Sequence, residues 1–480
     1  MVSAKLLQIF ATGPQDKILY GNPKITYFKT VYKQHTNFGS NYIVKDLSSY
    51  AAFGKTLRFK VPREGDLLGA TYIRFGLSLK NTSGTNPYYS SFCNGIGSIL
   101  IQEIGIYVGG KRLESFPGEW IMLDNEIYND NSRKKEFYKM IGYKDFEFNI
   151  GTHSPPYDIA SSTTVNAVRN QEGDNLGDID ILVPIPFFYT KDTGFYLPVC
   201  AMNEENIEIV LKLRNSADCI VKNINSASAP AVFTIDGGTT TSTINSGKII
   251  DEQVDAQITS MEIIYNYYYL DDREKQYFMN NDHRYIIPIA KQGIKNNFNY
   301  VSNSQSMKTT LDIKHPVKFI AWTLQRESIS KMNDYFNYTF SPTVGDDTDN
   351  IFYDTIPDPD KNMVNTFNFD IDGHPLLDKL PSKILNSAEL YSKFKNNSNL
   401  LFYLYSFSLH PRDIYPSGTL NFSRIKDTDI KFTLSDKTTP ADNTLVDIPN
   451  YTSDKFIMTP YTVYYNILSI KDGLSGLEFI

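Results

Sequence analysis

The stretch Ile207-Glu-Ile-Val-Leu-Lys-Leu213 alternates in character along its seven residues. Side chains of a β-strand point alternately to its two faces, so the isoleucines and leucines of this stretch all share one face. A strand of this kind packs one face against a core and turns the other towards water or a neighbour. The stretch therefore predicts an antiparallel sheet with one buried face.

The same alternation recurs along the chain, at residues 57–61, 366–372 and 430–434. Turn-forming sequences separate such stretches: Gly54-Lys55, Gly109-Gly110, Asp372-Gly373 and Pro416-Ser-Gly418. Only two short helices are predicted, at residues 122–127 and 271–279. Short strands with little helix predict an all-β protein built from sandwiches or barrels.

Composition supports this fold class and narrows the function. The chain has 480 residues, of which 14% are aromatic, and Tyr and Phe favour pleated strands. A formal net charge of −7 gives no support for electrostatic binding of nucleic acid. The three cysteines form no CxxC pair, and we find neither a secretion signal nor an apolar run long enough to span a bilayer. These features predict synthesis in the cytosol and no disulfide framework.

A polar segment divides the chain into two halves. Small and flexible residues dominate much of 214–257, which predicts a linker or loop. We therefore expect an N-terminal arm at 1–24, a first β domain at 25–213, the linker at 214–257 and a second β domain at 258–480. Two further polar stretches, near 143–178 and 341–362, predict long surface loops.

Motifs that could carry chemistry have simpler interpretations. Residues 105–111 (Gly-Ile-Tyr-Val-Gly-Gly-Lys) match the start of a P-loop, but Arg112 stands where a hydroxyl should follow, so a hairpin turn is favoured. Gly54-Lys55-Thr56 is likewise predicted to be a turn. Residues 368–373 resemble half of a calcium loop, but Lys379 replaces the required Glu, which favours a strand and an Asp-Gly turn.

Several other polar features are predicted to be structural or solvated. The basic run 133–135 is interpreted as a solvated surface turn, and residues 346–349 as a solvated acidic loop. The six histidines are far apart in sequence, and His315 and His410 each precede a proline, which favours extended backbone. Five N-x-[ST] sequons, at Asn81, Asn337, Asn396, Asn421 and Asn450, are attributed to chance. We predict no catalytic residue, no cofactor and no metal site.

Residues 15–38, which include Gly21-Asn22-Pro23, resemble the N-terminal signature of major capsid proteins from nucleocytoplasmic large DNA viruses. That family includes the phycodnaviruses, the iridoviruses and the mimivirus-like viruses. Further similar runs follow in family order to residue 477: 110–114 with Trp120, 183–188, 194–198, 270–274, 315–322, 403–409, 416–424 and 465–477. Among them, 183–188 and 194–198 resemble a strand pair that closes the first jelly roll.

The resemblance implies an all-β fold of two tandem eight-stranded antiparallel jelly rolls, a double jelly roll, with a few short helices and long surface loops. It also implies a structural protein of the virion, synthesised in the host cytoplasm or viral factory, and not an enzyme. Three copies would form a homotrimeric, pseudo-hexagonal capsomer of an icosahedral shell. Implied partners are other copies, minor capsid proteins and the internal membrane at the inner face, where the arm would lie, with no direct binding of nucleic acid.

Two alternatives remain open. One is a minor capsid or spike protein of the same virus group, and the other is a carbohydrate-binding β-sandwich protein. One residue tests the predicted register: in 416–424 the turn should start a strand with Leu420 and Phe422 on one face. A buried Phe422 should cost about 3–5 kcal/mol on truncation to alanine, and trimers should be lost.

Overall fold

The computed structural model describes residues 22–81, 88–143, 175–224, 254–299, 306–338, 363–434 and 455–479, except 25, 27, 31, 328, 329, 331 and 332. The chain divides into two compact units, Met1–Phe38 and Gly39–Ile480. In the first unit, the described residues between 22 and 37 belong to no strand or helix. The first strand among the described residues begins at Phe38, so the arm predicted to end at residue 24 is followed by further described residues outside any strand.

The described residues of the first half form two four-stranded sheets and a two-stranded ribbon. Its strands are β1 (Phe38–Asp46), β2 (Thr56–Lys60), β3 (Leu67–Asn81), β4 (Tyr88–Phe92), β5 (Ile101–Val108), β6 (Lys111–Phe116), β7 (Asn175–Pro184), β8 (Ile207–Leu213), β9 (Ile220–Ile224) and β10 (Val254–Leu270). One sheet has the order β1-β10-β3-β7 and the other β2-β8-β5-β6, while β4 pairs with β9.

The second half repeats this arrangement. Its strands are β11 (His283–Gln292), β12 (Asn296–Asn299), β13 (Ser306–Thr310), β14 (Pro316–Arg326), β15 (Val364–Ile371), β16 (His374–Pro381), β17 (Tyr403–Ser406), β18 (Leu420–Asn421), β19 (Thr428–Leu434), β20 (Lys455–Lys471) and β21 (Leu474–Leu477). One sheet has the order β11-β20-β14-β17, extended by β12, β18 and β21, and the other β13-β19-β15-β16.

The two halves share one topology. Within the described residues, the eight main strands of each half can be numbered in chain order, leaving out the short ribbon and the added strands. Both halves then have one sheet in the order 1-8-3-6 and one in the order 2-7-4-5. This order is that of a jelly roll, an architecture of antiparallel strands. The predicted double jelly roll is confirmed, and we call the two halves the first and second barrel.

Helices are few and short in the part of the chain that the structure describes. They are α1 (Ile96–Leu100), α2 (Gly118–Tyr128), α3 (Asn131–Ile141) and α4 (Asp272–Asn280), with π-helical turns at Ile384–Ala388 and Leu390–Phe394. Short 3-10 turns lie at Ser48–Tyr50, Phe188–Thr190, Thr193–Phe195, Val199–Ala201, Ser216–Asp218 and Phe422–Arg424. The helices predicted at 122–127 and 271–279 are confirmed within α2 and α4. No helix in the described ranges is both long and apolar enough to cross a membrane.

Burial follows the alternation of the sequence. In β8 all four residues on the predicted inner face are buried, while the residues between them are half-buried or exposed. The apolar residues of β19 are buried in the same way. In β15, Phe367 and Phe369 are buried and Ile371 is half-buried. The apolar faces of facing sheets thus supply the core of each barrel.

The two motif-like glycine sequences are hairpin turns, as predicted. Gly109 and Gly110 join β5 to β6 with φ of 56° and 80°, and Asp372 and Gly373 join β15 to β16 with φ of 48° and 79°. Positive φ at both central residues is the geometry of a type I′ turn, which matches the twist of a hairpin. Neither sequence leads into a helix or forms a calcium loop.

The predicted border between the halves falls inside a strand. Residues 258–270, assigned above to the second domain, belong to β10, the eighth strand of the first barrel, and β10 pairs with β3. The flexible composition of 214–257 therefore marks a connection between two strands of one barrel, which can be as polar as a linker between domains. Since α4 stands between β10 and β11, we propose that the border lies at residues 271–282.

Three local predictions need correction. Residues 183–198 hold the end of β7 and two 3-10 turns instead of a strand pair, although Leu197 forms a single bridge to Leu68. In 416–424 only Leu420 and Asn421 form a strand, because Asn421 accepts a hydrogen bond from Ser423 N (3.0 Å) and turns the chain into a 3-10 helix. His315 has φ of 74° instead of extended backbone.

Candidate assembly surfaces and the junction between the barrels

Each barrel has two different ends. At one end, which we call the turn end, the hairpins Gly109-Gly110 and Asp372-Gly373 reverse the chain in two residues. The opposite end, the loop end, is where the third strand of each barrel leads to the fourth and the seventh to the eighth. The stretches predicted as long surface loops, 143–178 and 341–362, and most of the predicted linker fall on connections at this end, largely outside the described residues.

The barrels stand side by side with matching ends together. At the turn end, Glu204 N donates to Gly473 O (3.3 Å) and Ser475 N donates to Glu205 Oε2 (2.8 Å). At the loop end, Asn333 Nδ2 donates to the carbonyl oxygens of Ala217 (2.8 Å) and Ile220 (2.9 Å). Because turn end meets turn end and loop end meets loop end, one chain presents two similar upright barrels.

A buried ion pair of the first barrel lies at its contact with the second barrel. Lys134 on α3 lies 3.1 Å from Glu126 Oε2 on α2, and both side chains are fully buried. The same Glu126 oxygen accepts hydrogen bonds from Ser398 Oγ (3.1 Å) and Asn399 N (3.0 Å) of the second barrel. Asn396 Nδ2 adds donations to main-chain oxygens of the first barrel, among them Glu126 O (3.0 Å). Each charge of such a pair stabilises the fold chiefly by serving as the partner of the other, because no water reaches either group.

This pair is not predicted from the sequence. Residues 133–135, predicted to be a solvated turn, lie on α3, and Lys134 is fully buried. Charge alone cannot reveal a buried lysine, because its partner is brought near by folding. One signal was available in principle: 131–141 has its apolar residues, such as Phe137 and Ile141, at helical spacing, and Lys134 shares their face.

Glu114 on β6 connects the two barrels at a second point. Its carboxylate accepts hydrogen bonds from Phe188 N of the first barrel (2.8 Å) and Ala290 N of the second (3.2 Å). Burial raises the pKa of Glu114 to about 7, against a smaller opposing effect of Lys191 and of the two N–H donors.

A third group of charges lies nearby. Lys191 Nζ is 2.8 Å from Asp124 Oδ1, and Lys318 Nζ donates to Asp413 O (3.3 Å). Burial lowers the pKa of Lys318 to about 8, helped by Lys191, and burial also raises the pKa of Asp124. Perturbed carboxyl and amino groups can indicate an active site. Here the side chains of Asp124 and Lys318 are buried between the barrels, which favours a role in holding them together.

Two of the groups of exposed apolar side chains lie on β1 and at the turn end of the second barrel. On β1, the edge strand of its sheet, Phe38, Tyr42 and Val44 are each more than half exposed. At the turn end of the second barrel, Leu409 and Tyr415 are exposed on a connection that Ser417 holds through a bond from His410 N to its Oγ (2.9 Å). These two groups are candidate contact surfaces.

The sequence predicts no catalytic, cofactor-binding or metal-binding residues, so there is no predicted site to locate in the structure. Within the described ranges, no three His, Cys, Asp or Glu side chains converge on a point that could hold a metal ion. The acidic residues 346–349 lie outside the described residues. His315 packs its ring against Tyr464, with centroids 4.7 Å apart, and so has a packing role.

Two models of known protein families match the chain, one in each half. A family model described as "Major capsid protein N-terminus" matches residues 26–271, and one described as "Large eukaryotic DNA virus major capsid protein" matches residues 274–476. The chain belongs to this capsid protein family. The two matched ranges meet at α4, in agreement with the border proposed from strand pairing. The resemblance found in the sequence is thus confirmed.

Relatives in the family match over nearly the whole chain. The major capsid protein of Paramecium bursaria Chlorella virus 1 is 25% identical and that of Phaeocystis pouchetii virus 23%, each over 99% of both chains. Among solved structures, the quasi-atomic model of the PBCV-1 virus capsid is similar with a TM-score of 0.69 at 19% identity, over 95% of this chain and 100% of that one. The Faustovirus major capsid protein is similar with a TM-score of 0.65 at 12% identity, over 96% and 94%.

Proposed function

We propose that this capsid protein assembles into homotrimeric, pseudo-hexagonal capsomers that tile an icosahedral shell, and that it is not an enzyme. The observation that carries the proposal is the pair of upright barrels with one topology and matching ends. Three copies around an axis place six similar barrels in a ring. A heterologous contact that closes after three copies would produce this ring.

Edge strand β1 is our candidate for a contact between copies. It is nine residues long, its first seven residues carry no charge, and most of its side chains are exposed. Natural proteins usually protect such an edge with charges, prolines or bulges, because its free backbone groups pair readily with another chain. Among the described strands, β1 ends its sheet, and an edge of this kind suits a neighbouring copy.

The two ends of the barrels suit different surroundings. We propose that the loop end faces outward and the turn end faces the interior of the virion, towards minor capsid proteins and the internal membrane. The exposed Leu409 and Tyr415 at the turn end support a protein or membrane contact there. We further propose synthesis in the host cytoplasm or viral factory and no direct contact with the genome, in line with the net charge of −7.

The mass of the purified protein tests the trimer. We expect light scattering to give a stable particle of three times 54.7 kDa, and negative-stain images of the same peak to show a pseudo-hexagonal outline. A folded monomer without such an outline would overturn the proposal and favour the role of a minor capsid protein.

A further inference from the structure

The described N-terminal residues 22–37 have a charge pattern unlike that of the rest of the chain. The whole chain has a net charge of −7, yet residues 17–45 contain five lysines and no Asp or Glu. Three of these lysines, Lys24, Lys29 and Lys33, are described and exposed. We call the described residues 22–37 the basic arm.

Exposed aromatic rings accompany these lysines. Phe28 is 100% exposed and precedes Lys29, and Tyr32 is 85% exposed and precedes Lys33. A large apolar ring left entirely in water contributes nothing to the stability of the chain that carries it. Its retention beside a lysine, twice in six residues, indicates a partner that accepts both a ring and a positive charge.

We propose that the basic arm binds the surface of an anionic lipid bilayer. Rings of Phe and Tyr enter the boundary between headgroups and acyl chains, while lysines keep their amino groups at the anionic headgroups. Neither feature holds a protein on a membrane for long by itself, but the two together give reversible binding that salt weakens. The inference deepens the proposed inner-face contact and rests on it only for its biological setting.

The choice of lysine argues against nucleic acid as the partner. The arm contains no arginine, and the first arginine of the chain is Arg58. Arginine is the residue that recognises phosphate bidentately and stacks on bases, so a segment selected for nucleic acid would be expected to contain it. Lysine is sufficient at a lipid surface, where a diffuse field of headgroup charge is the attraction.

Flotation of the full-length protein with lipid vesicles tests the inference. We expect binding to vesicles of phosphatidylcholine mixed with phosphatidylserine, weak binding to phosphatidylcholine alone, and release by added sodium chloride. Binding to anionic vesicles is informative because the chain as a whole is negative and would be repelled.

Two sets of variants locate the binding surface. In K24Q/K29Q/K33Q we expect affinity for anionic vesicles to fall by about 100-fold, since each lysine near such a surface contributes roughly fivefold. The matched control K111Q/K295Q/K426Q removes three other exposed lysines and should bind like the wild type. F28S/Y32S should also weaken binding to anionic vesicles. Because this variant keeps the lysines, its binding should still weaken as salt is added.

Four outcomes would overturn the inference: no binding to anionic vesicles, equal binding to neutral vesicles, an equal loss in the control variant, or tighter binding to a single-stranded oligonucleotide than to vesicles. Light scattering on the same samples separates this result from the proposed capsomer. Trimers that do not bind vesicles would refute the lipid contact alone, and vesicle-binding monomers would refute the capsomer alone.

Discussion

At the scale of single residues, the junction between the barrels depends on groups that would be unfavourable without their partners. Glu126, Lys134 and Glu114 are all buried, and each is hydrogen-bonded or paired across elements. Removing one member leaves another in a place that water does not reach. These positions are therefore where single substitutions should have the largest effect.

Glu114 should make stability depend on pH. Its pKa is raised from 4.5 to about 7, so over that interval the folded chain holds a proton that the unfolded chain releases. The free energy of unfolding contributed by this residue therefore falls as pH rises from about 4.5 to 7, by about 3 kcal/mol in total. We expect Glu114→Gln to flatten the decline in melting temperature over this range.

The control for Glu114 is Glu103→Gln, at an exposed position on the neighbouring strand β5. It should retain the wild-type profile of melting temperature against pH. Identical profiles for Glu114→Gln and the wild type would show that Glu114 does not titrate in this interval.

Lys134→Met should be strongly destabilising, because it leaves the Glu126 carboxylate buried without its cation. The expected cost is about 3–5 kcal/mol in the free energy of unfolding, measured by denaturant titration. Lys135→Met, on the exposed side of the same helix, should change stability little. Similar losses at both positions would contradict the assigned burial.

At the scale of elements, β1 makes the proposed contact between copies testable without disturbing the fold. Tyr42→Asp changes a side chain that is 58% exposed in the monomer, so the melting temperature of the monomer should stay close to wild type. The variant should nevertheless elute as a monomer, because an aspartate would be buried without a partner in the interface. Light scattering checks this outcome.

Tyr415→Asp is the matched control for this element, since it makes the same change at an exposed position of the turn end. We expect it to form trimers. If both variants remain trimeric, β1 is not a subunit contact.

Phe422 links an element to its core. It is 1% exposed and its ring lies 5.5 Å from that of Phe407, so Phe422→Ala should cost about 3–5 kcal/mol, although the residue begins a 3-10 turn and not a strand. We also expect loss of trimers, because the turn end of the second barrel would loosen. Denaturant titration should show a much smaller loss in the free energy of unfolding for Phe422→Leu than for Phe422→Ala. Equal losses in the two variants would show that the extra volume removed by alanine has no cost at this site.

Elements were predictable from sequence where local pattern decides them. The alternation of β8 and β19 and the paired turn residues at 109–110 and 372–373 depend on neighbours in sequence. The border between the barrels was not predictable from the sequence, because a polar connection within a barrel and a linker between domains have the same composition. The buried position of Lys134 was not predictable, because only folding brings the Glu126 carboxylate and the carbonyl oxygen of Asn397 to its amino group.

At the scale of the whole molecule, the junction should make the barrels unfold together. Buried carboxylates and hydrogen bonds connect them at the turn end, at the loop end, and at Glu114 and Glu126. If the barrels separated, these buried groups would lose their hydrogen-bond partners. The free energy of separating the barrels should therefore exceed that of separating domains that share a small polar interface. We expect scanning calorimetry of the monomeric Tyr42→Asp variant to show a single transition. Two well-separated transitions would show that each barrel is stable alone.

The difference between the two ends of the barrels also determines where the gene can change in length. The two-residue hairpins of the turn end, with positive φ at Gly109, Gly110, Asp372 and Gly373, cannot accept an inserted residue without losing their geometry. At the loop end, extra residues lengthen a connection at small entropic cost and leave every strand pair in place. Related proteins can therefore differ in length at the loop end, which we propose faces outward, and an engineer can graft peptides there while the strand pairs of both barrels stay in place.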